Sequence, residues 1–171
     1  MEVPLNESLA KRGGSLVEVI IAMGVLAVAV PIVFGTLAES GRSGMASEAE
    51  TRSTWMVPAC MDEIRASRAG KPVYFTTTAI GQVFPNAGEV WALGFSAEGK
   101  PVAKLGTKAI YDKGLKDING QRVSYIASLS ATKITVTTGA PAMVRVKISL
   151  EFPASAPAAK RQKLDFYSRI P

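Results

Sequence analysis

The sequence predicts an α+β chain, one long N-terminal helix packed on a small antiparallel β-sheet. Three observations carry that expectation. Residues 19–38 contain no charged side chain. Residues 39–69 repeat apolar side chains at four-residue steps or their multiples, opposite a charged face. Residues 143–152 alternate apolar and polar with strict period two. The first two patterns suit a helix; the third suits a strand with one buried and one wet face.

The uncharged run comes first. As a helix rising about 1.5 Å per residue it would be about 30 Å long, the thickness of a bilayer's hydrocarbon core. Residues 14–38 are therefore expected to form a transmembrane helix. Lys11 and Arg12 precede it, and basic flanks favour the cytoplasmic side of a span. That places the N-terminus in the cytoplasm and the remainder across the membrane. Glu18 is the unusual residue. A carboxylate at the centre of a spanning helix costs about 2.5–3.5 kcal/mol on insertion scales, and less near the interface. On burial alone two readings stand: a functional pairing site, or an interfacial glutamate just outside the core. Pro31 lacks an N–H and leaves the carbonyl of Ala27 without its helical partner, so a kink is expected there.

Residues 39–70 read as an amphipathic continuation of this helix. Met45, Ala49, Met56, Cys60 and Ile64 share one face, with Val57 and Met61 alongside. Glu48, Glu50, Arg52, Asp62 and Arg65 hold the other. Gly41 and Gly44 weaken the junction, and Pro58 is expected to kink the helix or split it in two. Gly70 and Pro72 end it. Cys60 reads as a small buried hydrophobe rather than part of a cofactor site.

Residues 71–171 change to β character. Residues 73–78 and 89–95 are strand candidates. Residues 96–100 read as a turn, with Val102 and Ala103 returning from it. In residues 123–130, Val123, Tyr125, Ala127 and Leu129 alternate with Ser124, Ile126, Ser128 and Ser130. Residues 133–138 suggest a further strand after a short turn. In residues 143–152, Val144, Val146, Ile148, Leu150 and Phe152 should face the core, and Arg145, Lys147, Ser149 and Glu151 the solvent. An Ala/Pro-rich connection follows, carrying the basic run Lys160, Arg161, Gln162 and Lys163, expected as a solvated loop. Leu164, Phe166 and Ile170 make a last strand.

Composition narrows the function classes. The chain has 171 residues, a net charge of +6, one cysteine and no histidine. An internal disulfide is impossible, and the commonest general base and a common metal ligand are missing. No phosphate-binding glycine loop is present. An enzyme, with catalytic residues or a cofactor, is not expected. The basic surplus suits anionic partners, but its scatter is equally that of a soluble surface. Asp112, Asp117 and Asn119, followed by Gly120, could supply oxygens to Ca²⁺. Their spacing does not fit an EF-hand loop, and Lys113 and Lys116 interrupt them, so a polar loop is expected and no metal. Lys160 to Lys163 lack a repeated basic–aromatic pattern, so nucleic acid is not expected as a partner.

Around the span the residues reach a family. The run Lys11-Arg12-Gly13-Gly14-Ser15-Leu16-Val17-Glu18-Val19-Ile20-Ile21-Ala22 resembles the type IV prepilin signature: a basic leader ending in Gly, a short stretch, a Glu at the fifth mature position, then an apolar helix. The Ser-Leu-Val-Glu-Val start is similar to those of I-type pseudopilins and V-type minor pilins. Residues 95–102 and 152–157 resemble segments of a prepilin-like group, the Verru_Chthon cassette protein B family. The resemblance implies a pilin-like fold, with residues 1–13 as a leader and residues 71–171 as the sheet head. It implies a prepilin peptidase that cuts between Gly13 and Gly14 and methylates the amine of Gly14. Most of the family has Phe where this chain has Gly14, and a cut one residue later would place Glu18 fourth. It implies that Glu18 neutralises the N-terminal amine of a neighbouring subunit during assembly. The implied partners are the peptidase, other pilin-like subunits and inner-membrane lipid, in a type II secretion pseudopilus or type IV pilus. The implied place is a bacterial inner membrane, head in the periplasm. Rival readings are a membrane-tethered binding module without a filament, and a secreted domain released after Ala29, where Ala27-Val28-Ala29 resembles a signal-peptidase site.

Overall fold

The computed structural model describes residues 16–75, 91–134 and 143–170. The chain is α+β. It divides into two compact units, Met1–Ser43 and Gly44–Pro171. One helix, α1 (Leu16–Arg68), contributes to both. It runs unbroken through Pro31 and Pro58, so the expected split at Pro58 does not occur. A proline removes one ladder bond, while the turns on either side keep theirs. Met56 and Cys60, fully buried on either side of exposed Pro58, hold those turns against the sheet.

The helix ends as Gly70 directs. Its φ is +73°, the left-handed conformation that glycine adopts without a Cβ penalty. The amide of Lys71 donates to Ala66 O at 2.9 Å and that of Gly70 to Ser67 O at 3.3 Å. These two bonds make a Schellman cap.

In the second unit five antiparallel strands form one sheet, in the order β2-β1-β5-β6-β7. They are β1 (Trp91–Phe95), β2 (Pro101–Leu105), β5 (Tyr125–Ile134), β6 (Met143–Phe152) and β7 (Gln162–Ile170). A short helix α2 (Lys108–Tyr111) and a two-stranded ribbon, β3 (Asp117–Ile118) with β4 (Gln121–Arg122), lie between β2 and β5. Strand β5 runs straight on to Ile134, so Lys133 and Ile134 continue the strand rather than open a new one. Its pairing with β6 is unbroken from Ile126↔Glu151 to Ile134↔Met143, which leaves no place for the expected turn. Residues 135–138 lie outside the described residues.

The α1 face and one sheet face make the main core. Met56, Cys60 and Ile64 meet Trp91, Leu93, Phe95, Leu129, Ile148 and Leu150. The buried positions Ala49, Ser53, Met56, Cys60, Glu63 and Ser67 recur at alternating four- and three-residue steps, the stripe of a helix laid on a surface. Met45, expected in that stripe, is half exposed at its edge. A second cluster, with Ala92, Leu105, Tyr111, Val123, Ile126 and Ala154, covers the other face of β1 and part of β5. Strand β1 is thus buried at all five residues, as a strand covered on both faces should be.

Candidate functional site

The feature that sets this chain apart is an uncovered apolar helix with a carboxylate at its start. Within residues 16–43, large apolar side chains range from 45% exposed at Val30 to 77% at Leu16. None of the most apolar window is buried. Fully burying one such side chain is worth about 1.5–3 kcal/mol, so this surface demands a non-aqueous or protein environment. The helix is long and apolar enough to cross a membrane. Glu18 lies in its first turn and is exposed. A carboxylate in the first turn of a helix stands favourably against the positive end of the helix dipole. Lys11, Arg12, Gly13 and Gly14 lie outside the described residues. Pro31 falls inside the uncovered stretch, in continuous helix.

Two buried carboxylates were not singled out in the sequence. Glu63 is 6% exposed, and its Oε1 accepts the amides of Val73, Tyr74 and Phe75 at 3.0, 2.6 and 2.8 Å. Three amides turned onto one oxygen cannot serve a ladder, and residues 73–75 accordingly form a bend instead of the expected strand. The rest of that candidate strand, residues 76–78, lies outside the described residues. The signal for Glu63 was its place in the heptad stripe, three residues after Cys60. The buried Cys60 thiol is pushed up to about 12, by desolvation first and then by the charge of Glu63.

Glu151, expected on the wet face, is buried, and so is Arg161 from the basic run expected as a solvated loop. The Arg161 guanidinium donates to Glu151 Oε2 at 2.9 Å, to Ala156 O at 2.9 Å, and to Tyr111 O at the end of α2. Lys163 Nζ reaches Glu151 Oε1 at 3.1 Å. The β6–β7 connection folds back over α2 and needs a fork-shaped cation to satisfy the carbonyls it covers. Ala158 N donating to Asp112 O and Leu115 N to Ala154 O, both at 2.8 Å, fasten the same two segments.

Asp112 caps the end of α2, Asp117 opens β3, and Asn119 stands in the turn that follows it. Asn119 (φ +50°) and Gly120 (φ +76°) are the two left-handed residues of the turn joining β3 to β4. Such an Asn-Gly pair closes a two-residue hairpin. Among the described residues no group of three or more His, Cys, Asp or Glu side chains could hold a metal ion. Comparison with family models, with curated proteins and with solved structures found no match in any of the three.

Proposed function

We propose that this chain is a pilin-like filament subunit, a minor pilin or pseudopilin. It is made with a leader, cut between Gly13 and Gly14, methylated on the Gly14 amine, and assembled through α1. The observation that carries the reading is the uncovered apolar part of α1 with Glu18 in its first turn. A plain tether has no use for that carboxylate. A subunit that passes from membrane to filament exchanges lipid contacts for neighbouring helices, and must pair each buried N-terminal amine with an anion. Two opposite charges offset each other's desolvation only when both are present and well placed. The buried stripe of α1 between Ala49 and Ser67 supports the same reading, because it fixes the sheet unit to the helix.

The test has two arms. Co-expression with a prepilin peptidase should shorten the chain by its leader and add a methyl group at residue 14, read by intact mass. An unchanged mass, or equal processing of Gly13→Arg, refutes the cleavage. Glu18→Ala should still be processed but fail to enter filaments, whereas normal entry refutes the pairing role and favours the tethered module.

A further inference from the structure

The outer face of β6 and β7 carries a charge arrangement that the fold does not explain. Strict alternation places Arg145, Lys147, Ser149 and Glu151 of β6 beside Arg169, Tyr167, Asp165 and Lys163 of β7, each directly opposite its partner. Most of these charges are settled within the sheet. Lys147 Nζ meets Asp165 at 2.8 Å, and Lys163 meets Glu151 at 3.1 Å. Asp165 is held below the usual carboxylate range by the Lys147 and Ser149 hydrogen bonds. Arg145 and Arg169 have no such partner among the described residues, yet they stand opposite each other. Side chains so placed have Cβ atoms about 4.5–5.5 Å apart, and like charges there are destabilising. Both arginines are exposed, and with Tyr167 and Ser168 they line an open depression of about 680 Å³. Tyr167 is 64% exposed, and the Lys147 ammonium sits 5.8 Å from its ring centre.

We propose that Arg145 and Arg169 form a subsite for a phosphate group, with Tyr167 as the flat wall against which the organic part of a phosphate ester rests. Two guanidinium forks on one side of a sheet present paired N–H donors in the geometry that phosphate oxygens accept. The bound anion also removes the cross-strand repulsion, so part of its affinity comes from relieving a cost already built into the folded sheet. The inference is independent of filament assembly, since it uses only the sheet unit. It also differs from the basic run at residues 160–163, where Arg161 is buried and Lys163 is paired.

The full chain in dodecyl maltoside micelles, which contain no phosphate, is titrated with three probes by calorimetry: inorganic phosphate, oligomeric glycerol phosphate and oligothymidylate. Polyglutamate of matched charge is the control. Phosphate-bearing probes should bind and polyglutamate should not. Arg145→Gln or Arg169→Gln should each weaken binding about tenfold or more, the loss of a charge-assisted hydrogen bond. Both residues are exposed, so the variants should fold, and the repulsion argument predicts that each melts slightly higher than wild type without ligand. Tyr167→Ala should weaken an organic ester and leave inorganic phosphate unchanged. If oligothymidylate alone depends on Tyr167, the ester source is nucleotide-like; equal dependence of glycerol phosphate points to a sugar- or glycerol-based polymer. Absence of binding by all phosphate probes, equal binding of polyglutamate, or unchanged affinity in the Arg145→Gln/Arg169→Gln double variant overturns the proposal.

Discussion

Removing the Glu63 carboxylate is the most direct test of how the helix is joined to the sheet unit. In Glu63→Ala the amides of Val73, Tyr74 and Phe75 lose their shared acceptor. Val73 is exposed, so water replaces the carboxylate there. Tyr74 is half-buried and Phe75 is 5% exposed, so those two donors stay largely dry. A buried donor left unsatisfied costs about 1–3 kcal/mol, so with two such donors the substitution should destabilise the unit by about 2–6 kcal/mol. Glu63→Gln keeps the volume and one acceptor oxygen but loses the charge. Charge-assisted bonds are roughly twice as strong as neutral ones, so its cost should be about 1–2 kcal/mol. The assay is urea unfolding of the full chain in micelles followed by tryptophan fluorescence. Trp91 is a suitable reporter, because its ring stacks on Phe75 at 4.6 Å with the planes 27° apart. The order wild type, Gln, Ala should appear in the midpoints. An Ala variant within about 0.5 kcal/mol of wild type, the range of an ordinary surface change, would refute the assignment of Glu63 as the clamp on residues 73–75.

Further outcomes follow from the same contacts. Arg161→Met should cost about 3–5 kcal/mol in the same assay, since Glu151 would remain buried with only Lys163 to answer it. Removing both charges, as Arg161→Met with Glu151→Leu, should cost less than Arg161→Met alone. Gly99→Ala should cost about 2–3 kcal/mol, because Gly99 has φ +77° and a Cβ there would overlap the Trp55 indole nitrogen. Trp55→Ala should recover the overlap but not the backbone strain, so part of the loss remains in the double variant. Cys60 should resist alkylation at pH 8 until the unit unfolds. Its folded pKa of about 12 lies above the ordinary 9.0. Between those values the unfolded chain has released the proton and the folded chain has not. The Cys60 contribution is therefore intact below about pH 9 and is lost as pH rises from there toward 12, by up to about 1.4 kcal/mol per unit. Wild type compared with Cys60→Ala should isolate that slope; equal slopes would overturn the buried-thiol assignment.

Much of the architecture was legible from periodicity. The two-residue alternation of residues 143–152 matched the bounds of β6, and the four-residue steps through Met56, Cys60 and Ile64 marked the packed face of α1. Both are local patterns, because a strand or helix that buries one face imposes its own period on the chain. The uncharged span and Glu18 were equally plain, since they require only counting along a helix. The fate of individual charges was not legible. Glu151 was expected on the wet face and Arg161 in a solvated loop, and Glu63 was not singled out. Their burial depends on amides and carbonyls brought from residues 73–75, from α2 and from the β6–β7 connection. Helix α2 escaped notice for the same reason, being a single turn held by the segment that folds over it.

The sequence alone therefore determined the class of the chain, the long helix, its uncovered apolar length and the placement of Glu18, because each arises from residue types at short separations. Only the tertiary structure decided which charged groups leave water and which, among the described residues, stand unanswered on the sheet. A buried ion is tolerated only where distant backbone atoms complete its hydrogen bonds, as around Glu63 and Arg161. The opposition of Arg145 and Arg169 exists only because the register of β6 on β7 places positions 145 and 169 side by side.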